Sequence, residues 1–201
     1  MLDHDRLVGF SNHVHYEIWM MRLADRLMKG YPSGSERTSG HSEARVVEIG
    51  PVRHTTVAEP QYSSDARSLP VFDVGKEDKE AKTVIGNALV ESFAIHVRGL
   101  LDFFYKDEPT KKDVLAVDYF PDVVTWHLHR PEVSSKVITR IKDRVDTEVA
   151  HLTSERLNVT DEMKAWDRRE MKKIVMDAAH AFQDHVDQKN LSDWWRNHRV
   201  P

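Results

Sequence analysis

An arginine and a histidine, Arg144 and His151, lie seven positions apart in a stretch with helical spacing of its apolar residues. At about 3.6 residues per turn, seven positions make about two turns, so both side chains are predicted to lie on one stripe. Arginine holds phosphate oxygens in a planar fork, and histidine exchanges protons near neutral pH. Glu148 borders the same stripe. This pattern predicts a site that binds a phosphate ester and moves a proton on it.

A second carboxylate, Glu17, lies within the apolar arc of the predicted first helix. A carboxylate in such a position needs a cation or a hydrogen-bond donor as its partner. Arg144, His151 or His96 could supply that partner from another helix. We expect Glu17 or Glu148 to orient the arginine–histidine pair. A structural ion pair is the alternative interpretation of Glu17.

The twelve histidines also suggest a metal site. Glu148 and His151 form a Glu-x-x-His motif, which carboxylate-bridged metal sites in helical bundles use twice. A second copy is missing, because neither His180 nor His185 has a glutamate three positions before it. We therefore expect no metal and no cofactor. A carboxylate-bridged metal site ranks third among the alternatives, after the two functions given below.

Four segments carry hydrophobic residues at helical spacing. They lie over about 3–29, 78–105, 131–157 and from 161 onward. Pro131 fits the first turn of the third helix, and Thr160 fits the N-cap of the fourth. The connection 111–121 carries apolar residues and is expected to pack onto the helices. The pattern predicts an all-α fold, an up-and-down four-helix bundle.

Residues 31–77 separate the first two predicted helices and lack helical periodicity. They are rich in proline and glycine, which predicts a long flexible loop or disordered insert, with a short hairpin over 45–57 as an alternative. The chain divides into a first bundle helix (1–30), the insert (31–77), the remaining bundle helices (78–190) and a C-terminal tail (191–201). In the tail, Trp194 and Trp195 are expected to close one end of the bundle or to meet a partner.

Composition narrows the class of protein. A length of 201 residues suits one domain with an appendage, and a net charge of −4 argues against binding nucleic acid by bulk charge, though not against a local basic groove. The absence of cysteine excludes disulfides, thiolate metal sites and cysteine nucleophiles. Because the N-terminus is acidic and no long apolar run stands out, we expect a cytoplasmic protein with no membrane contact.

The spacing of Arg144 and His151 resembles the Arg-x(4–6)-His signature of the HEPN ribonucleases, which are helical bundles of about this size. Arg6 and His13 have the same spacing, and the later pair is preferred because it lies on a strong predicted helix beside an apolar stripe. The resemblance implies a metal-independent endoribonuclease of toxin or defence type that cleaves RNA. It also implies a homodimer with facing sites and an antitoxin or other protein partner.

This chain departs from the HEPN pattern at one position. Family members usually follow the arginine directly with a polar residue, whereas Val145 stands there and Asp146 comes one step later. A broader resemblance links the chain to an uncharacterised bacterial family of all-helical proteins. It rests on four segments, 16–20, 89–104, 113–120 and 148–153. That resemblance implies a shared fold and brings no activity.

The alternative function is a non-enzymatic helical module that binds other proteins. Its candidate surfaces are Trp194, Trp195 and the insert at 31–77. In this interpretation the polar residues of the third helix are structural. Replacing His151 would then reduce the stability of the protein rather than an enzymatic activity.

Overall fold

The computed structural model describes residues 3–29, 79–108, 110, 113–150 and 166–200, and these residues form an all-α structure, as predicted. The helices are α1 (His4–Met28), α2 (Lys79–Tyr105), α3 (Val123–His129), α4 (Ser135–Val145), α5 (Arg168–His185) and α6 (Asp193–Asn197). A π turn (Asp146–Ala150) continues α4, and short 3₁₀ turns cover Ala116–Tyr119 and Gln188–Asn190. No strand occurs in the described ranges.

The first two predicted helices agree closely with α1 and α2. α1 begins after Asp3, whose side chain accepts a hydrogen bond of 2.8 Å from the Arg6 amide and so satisfies a free N–H of the first turn. α1 packs along α2 more extensively than any other two helices in the described ranges. The apolar stripe of α1 faces the core, and its residues Leu7, Val14, Ile18, Met21 and Met28 are buried, whereas Phe10 is half-buried. This pair of helices forms the frame on which the later elements pack.

The start predicted for the third helix is wrong. Pro131 lies outside any helix, and α4 begins only at Ser135. Arg130, the residue before the proline, has an extended backbone, as the steric demand of the proline ring favours. A short helix that the periodicity did not predict, α3, comes before it. The carboxylate of Asp122 caps α3 by accepting a hydrogen bond of 2.7 Å from the Thr125 amide.

The helix predicted to follow Thr160 is seen from Arg168 onward, as α5. Asp167 caps it by accepting a hydrogen bond of 3.0 Å from the Glu170 amide. Trp166, which lies within the range predicted for this helix, comes just before its first residue. Thr160 itself lies outside the described residues. The insert at 31–77 and its hairpin lie outside them too, so the domain boundaries and the four-helix bundle order stay predictions.

The aromatic core surrounds Phe182 of α5. Edge-to-face ring contacts with centroids 5.1–6.0 Å apart join it to its neighbours, a geometry that favours the ring quadrupoles. These neighbours are Phe103, Phe104, Tyr119, Phe120, Trp126 and Trp195. The connection around Tyr119 therefore packs onto the helices, as predicted. The hydroxyl of Tyr119 donates a hydrogen bond of 2.8 Å to the Leu7 carbonyl.

The tail closes onto α1 through Trp195, which is almost fully buried. Its indole N–H donates a hydrogen bond of 2.7 Å to the Ser11 carbonyl. The core position of Trp195 removes it from the candidate interaction surfaces. Trp194 is half-buried and stacks on His15, with ring centroids 3.4 Å apart.

Part of α2, Ala81–Tyr105, is long and apolar enough to cross a membrane by length and composition. The expectation that no such run exists is therefore wrong by this criterion. The same segment supplies core residues such as Val97, Leu101 and Phe104, which are fully buried. Core helices of water-soluble proteins meet the criterion as well, so this finding assigns no location.

Candidate functional site

Arg144 lies in the last turn of α4, and its guanidinium contacts Glu148 and Trp166 among the described residues. Its Nε and one Nη donate to the two carboxylate oxygens of Glu148, at 2.7 Å and 3.3 Å. The Trp166 ring lies beneath its Cζ, at 4.1 Å from the ring centroid. Such a two-point ion pair with a stacked ring fixes the plane of the guanidinium better than either contact alone. Of the predicted site residues, Arg144 and Glu148 are thus brought into direct contact.

The π turn that carries Glu148 is fastened to α2 by Arg98. The Nε and one Nη of Arg98 donate to both oxygens of Asp146, at 2.5 Å and 3.2 Å. This hydrogen bonding to Asp146 raises the pKa of Arg98, and the charge of Asp102 on the same helix adds to the effect. Asp102 also forms an ion pair with Lys142 of α4. The end of α4 therefore has a fixed position relative to α2.

The π turn changes the geometry expected for Arg144 and His151. The expectation of one stripe assumed α-helical spacing throughout, but residues 146–150 form i→i+5 hydrogen bonds and have more residues per turn. The premise of α-helical spacing therefore does not hold within residues 146–150, and a shared stripe for the two side chains stays a prediction. His151 follows the turn directly and lies outside the described residues. Its distance from Arg144 is a prediction still to be tested.

Glu17 meets His96 rather than Arg144. The Nδ1 of His96 lies 2.6 Å from Glu17 Oε2, a charge-assisted hydrogen bond between α2 and α1. The carboxylate lies close to the α2 backbone, since a Cβ placed at Gly99 would be 3.8 Å from Oε2. The Tyr16 ring meets the edge of the His96 ring. His96 is thus the partner that Glu17 adopts among the three predicted for it.

Glu17 and Glu148 therefore orient different groups. Glu148 fixes Arg144 at the end of α4, and Glu17 fixes His96 between α1 and α2. No hydrogen bond or ion pair between described residues links Glu17 to Arg144. Of the two carboxylates expected to orient the arginine–histidine pair, Glu148 contacts Arg144, and its orienting role stays a prediction.

The alternative of a metal site requires a cluster of ligand side chains, and the part of the chain that the structure describes contains none. No three histidine, aspartate or glutamate side chains there are grouped to hold an ion. His180 bonds to the Val200 carbonyl at 2.9 Å, and His185 stacks on His129. Glu148, the described half of the Glu-x-x-His motif, is engaged by Arg144.

The contacts that hold the end of α4 were only partly visible in the sequence. Arg98 and Asp102 lie four positions apart on α2, a spacing that favours an ion pair, and they form one at 3.0 Å. The stronger contact of Arg98 with Asp146 joins residues 48 positions apart, and helical spacing cannot reveal it. One feature of the sequence indicated that Asp146 has a role. The HEPN pattern has a polar residue directly after the arginine, and here Asp146 comes one position later, after Val145.

The comparisons with known proteins add no family to this description. No family model matches the chain, and neither a curated protein nor a solved structure matches it.

Proposed function

We propose that this protein is a metal-independent endoribonuclease of HEPN-like type, with Arg144 and His151 as its catalytic residues. The observation that carries the proposal is the fixed guanidinium of Arg144, held by Glu148 and the Trp166 ring at a π turn. π turns inside helices are rare and are frequent at functional sites. A cation in a fixed orientation stabilises developing charge without reorganising during the reaction.

The proposed reaction is an internal attack within the RNA chain. The ribose 2′-oxygen forms a bond to phosphorus, the bond from phosphorus to the 5′-oxygen breaks, and a 2′,3′-cyclic phosphate and a 5′-hydroxyl result. A base takes the proton of the 2′-hydroxyl, and an acid gives a proton to the leaving 5′-oxygen. His151 is proposed for this proton transfer, and Arg144 for the charge on the phosphoryl oxygens.

In this proposal Glu148 is a positioning residue, because it touches Arg144 and sets the direction of its donors. Glu17, also expected at the site, acts on His96 on the other side of α2. The role of His151 rests on the resemblance in spacing. A homodimer and an antitoxin partner belong to the same resemblance and are part of the proposal.

The substitution Arg144→Lys tests the role of the guanidinium. Lysine keeps the charge and loses the planar fork, so cleavage of RNA in EDTA should fall strongly while the fold remains. Arg199→Lys is the matched control, since Arg199 also makes a two-point ion pair, with Asp184, on an exposed surface. Equal activity of the two variants would contradict the proposal.

A second candidate function, protein binding, is favoured by an exposed apolar face on α3. Val124 and Leu128 lie one turn apart, and 61% and 77% of their surfaces are exposed. Val123 beside them is 41% exposed. Exposed apolar groups of this kind mark interaction sites. Sedimentation of the wild type and of Leu128→Lys over a range of concentrations tests whether α3 mediates self-association. A sedimentation coefficient that rises with concentration in the wild type but not in Leu128→Lys would favour this function.

A further inference from the structure

A basic surface lies where the end of α1 meets the start of α5. The last two turns of α1 with its C-cap, and the first two turns of α5 with its N-cap, together hold seven cationic and three acidic side chains. The cations are Arg22, Arg26, Lys29, Arg168, Arg169, Lys172 and Lys173. This local excess of four positive charges stands in a chain whose net charge is −4. The charge of the whole chain therefore conceals a concentrated region of positive potential.

Asp25 joins the two helices within this surface. Its oxygens accept from Arg168 Nη1 at 3.4 Å and from Lys172 Nζ at 2.6 Å. One carboxylate thus serves two cations from α5. This contact places Arg168 and Lys172 beside the end of α1, at a residue that directly precedes Arg26 in sequence.

Other arginines of this surface are less well neutralised. Arg26 and Arg169 are exposed, and neither makes an ion pair within the described part of the chain. Burial lowers the pKa of Arg22, and the like charge of Arg26 lowers it further, while Asp25 opposes both effects. Crowded cations of this kind are stabilised by an added anion.

The basic surface is continuous with the Arg144 site along the chain. Trp166, which stacks on Arg144, precedes Arg168 by two residues. A polyanion bound along the start of α5 would therefore pass close to the guanidinium that we assign to phosphate binding.

We propose that this basic surface, centred on Arg22, Arg26 and Arg169, binds the phosphate backbone of single-stranded RNA beside the Arg144 site. The inference rests on the proposed function, because it names the surface that would hold the substrate on either side of the cleaved bond. Four of the seven cations are arginines, whose planar forks match phosphate oxygens. Contacts to successive phosphates would hold RNA without reading its sequence.

Binding is measured with a fluorescent single-stranded 2′-O-methyl RNA, which lacks the attacking hydroxyl and cannot be cleaved by the proposed reaction. The test variant is Arg26→Glu/Arg169→Glu, with both positions exposed. The control is Lys136→Glu/Lys189→Glu, which makes the same change in net charge at exposed positions on other elements. We expect the test variant to weaken binding about tenfold or more at moderate salt. The slope of log K against log salt should fall by about 1.4, about 0.7 for each lost phosphate contact.

The control variant should bind within about twofold of the wild type by the same measure. Equal weakening by both variants would show an effect of bulk charge and would overturn the inference. Absence of binding by the wild type, or stronger binding of a poly-glutamate peptide than of the RNA, would overturn it as well.

A parallel cleavage assay on ordinary RNA separates the two proposals. In one outcome, the wild type binds RNA more tightly than Arg26→Glu/Arg169→Glu and yet cleaves none. That result would contradict the proposed ribonuclease and support the RNA-binding surface. Cleavage by the wild type with unaltered binding in Arg26→Glu/Arg169→Glu would support the ribonuclease and overturn the surface.

Discussion

Arg98 of α2 and Asp146 of the π turn form a two-point ion pair across 48 positions of sequence. Both side chains are about two-thirds shielded from solvent, at 35% exposure. Asp146 lies two residues from Arg144, so the contact fixes the turn on which the candidate site is built. α2 thereby positions two polar pairs, His96 with Glu17 toward α1 and Arg98 with Asp146 toward α4.

Removal of this ion pair should weaken the fold. Arg98→Ala leaves Asp146 half-buried without its main donor, and we expect the free energy of unfolding to fall by about 1–3 kcal/mol. Arg199→Ala, which removes an exposed two-point pair, should cost less than about 1 kcal/mol. Urea unfolding of both variants measures the difference. Equal losses would mean that Arg98 contributes no more than a surface ion pair.

The orientation of Arg144 should depend on Glu148. Glu148→Gln keeps the shape of the side chain and one acceptor oxygen but removes the charge, so we expect kcat for RNA cleavage to fall by about 10–100-fold. Because the Arg144 and Glu148 side chains are only 24% and 16% exposed, stability should also fall, by about 1–3 kcal/mol, so kcat is measured well below the unfolding range of both proteins. Glu170→Gln, which alters an exposed pair with Arg140, is the control. An unchanged kcat in Glu148→Gln would assign Glu148 a structural role alone.

The buried His15 should make stability sensitive to acid. Burial lowers the pKa of His15 to about 4, and the nearby His198 contributes to the shift. In the unfolded chain a histidine titrates near 6.5. Because the unfolded state then binds the proton more readily, stability is full above about pH 6.5 and declines as the pH falls toward 4.

The variant His15→Gln isolates this effect from the titration of carboxylates. Its unfolding free energy should decline less than that of the wild type between about pH 6.5 and 4. We expect a difference of about 1–2 kcal/mol, less than the full pKa shift implies, since solvent screens part of the interaction. Thermal unfolding at a series of pH values measures it. Parallel curves for the two proteins would be inconsistent with a neutral, buried His15.

Phe182 should be the most sensitive position of the core. It contacts six aromatic neighbours, and Phe182→Ala would leave a large cavity among them, at a cost of about 3–5 kcal/mol. Leu128→Ala on the exposed face of α3 should change stability by less than about 0.5 kcal/mol. Denaturant unfolding compares the two. A small loss at Phe182 would show that the ring cluster repacks easily.

The sequence predicted those elements in which one apolar stripe decides the structure. α1 and α2 are long, their stripes are regular, and their observed bounds differ from the prediction by a residue or two. α3 escaped prediction because Trp126 is its one buried residue, so seven residues show no periodicity. The late start of α4 was missed because proline suits a first helical turn as well as a linker.

The candidate site was predictable only where its contacts are local. Arg144 and Glu148 are four apart, a spacing that joins side chains on a helix. The pairing of Glu17 was narrowed to three partners, since a carboxylate in an apolar arc requires one, but the choice of His96 depends on how α1 packs on α2. The hydrophobic pattern gave no indication of the π turn. The angular position around the helix axis that we predicted for His151 assumed α-helical spacing, which the turn interrupts.

Cleavage of RNA in EDTA, with analysis of the product ends, tests the central claim most directly. The wild type and Arg199→Lys should release products with 2′,3′-cyclic phosphate ends, and His151→Ala and Arg144→Ala should release none at matched thermal stability. Undiminished cleavage by His151→Ala, or products with other ends, would contradict the assignment of Arg144 and His151 as the catalytic pair of a metal-independent ribonuclease.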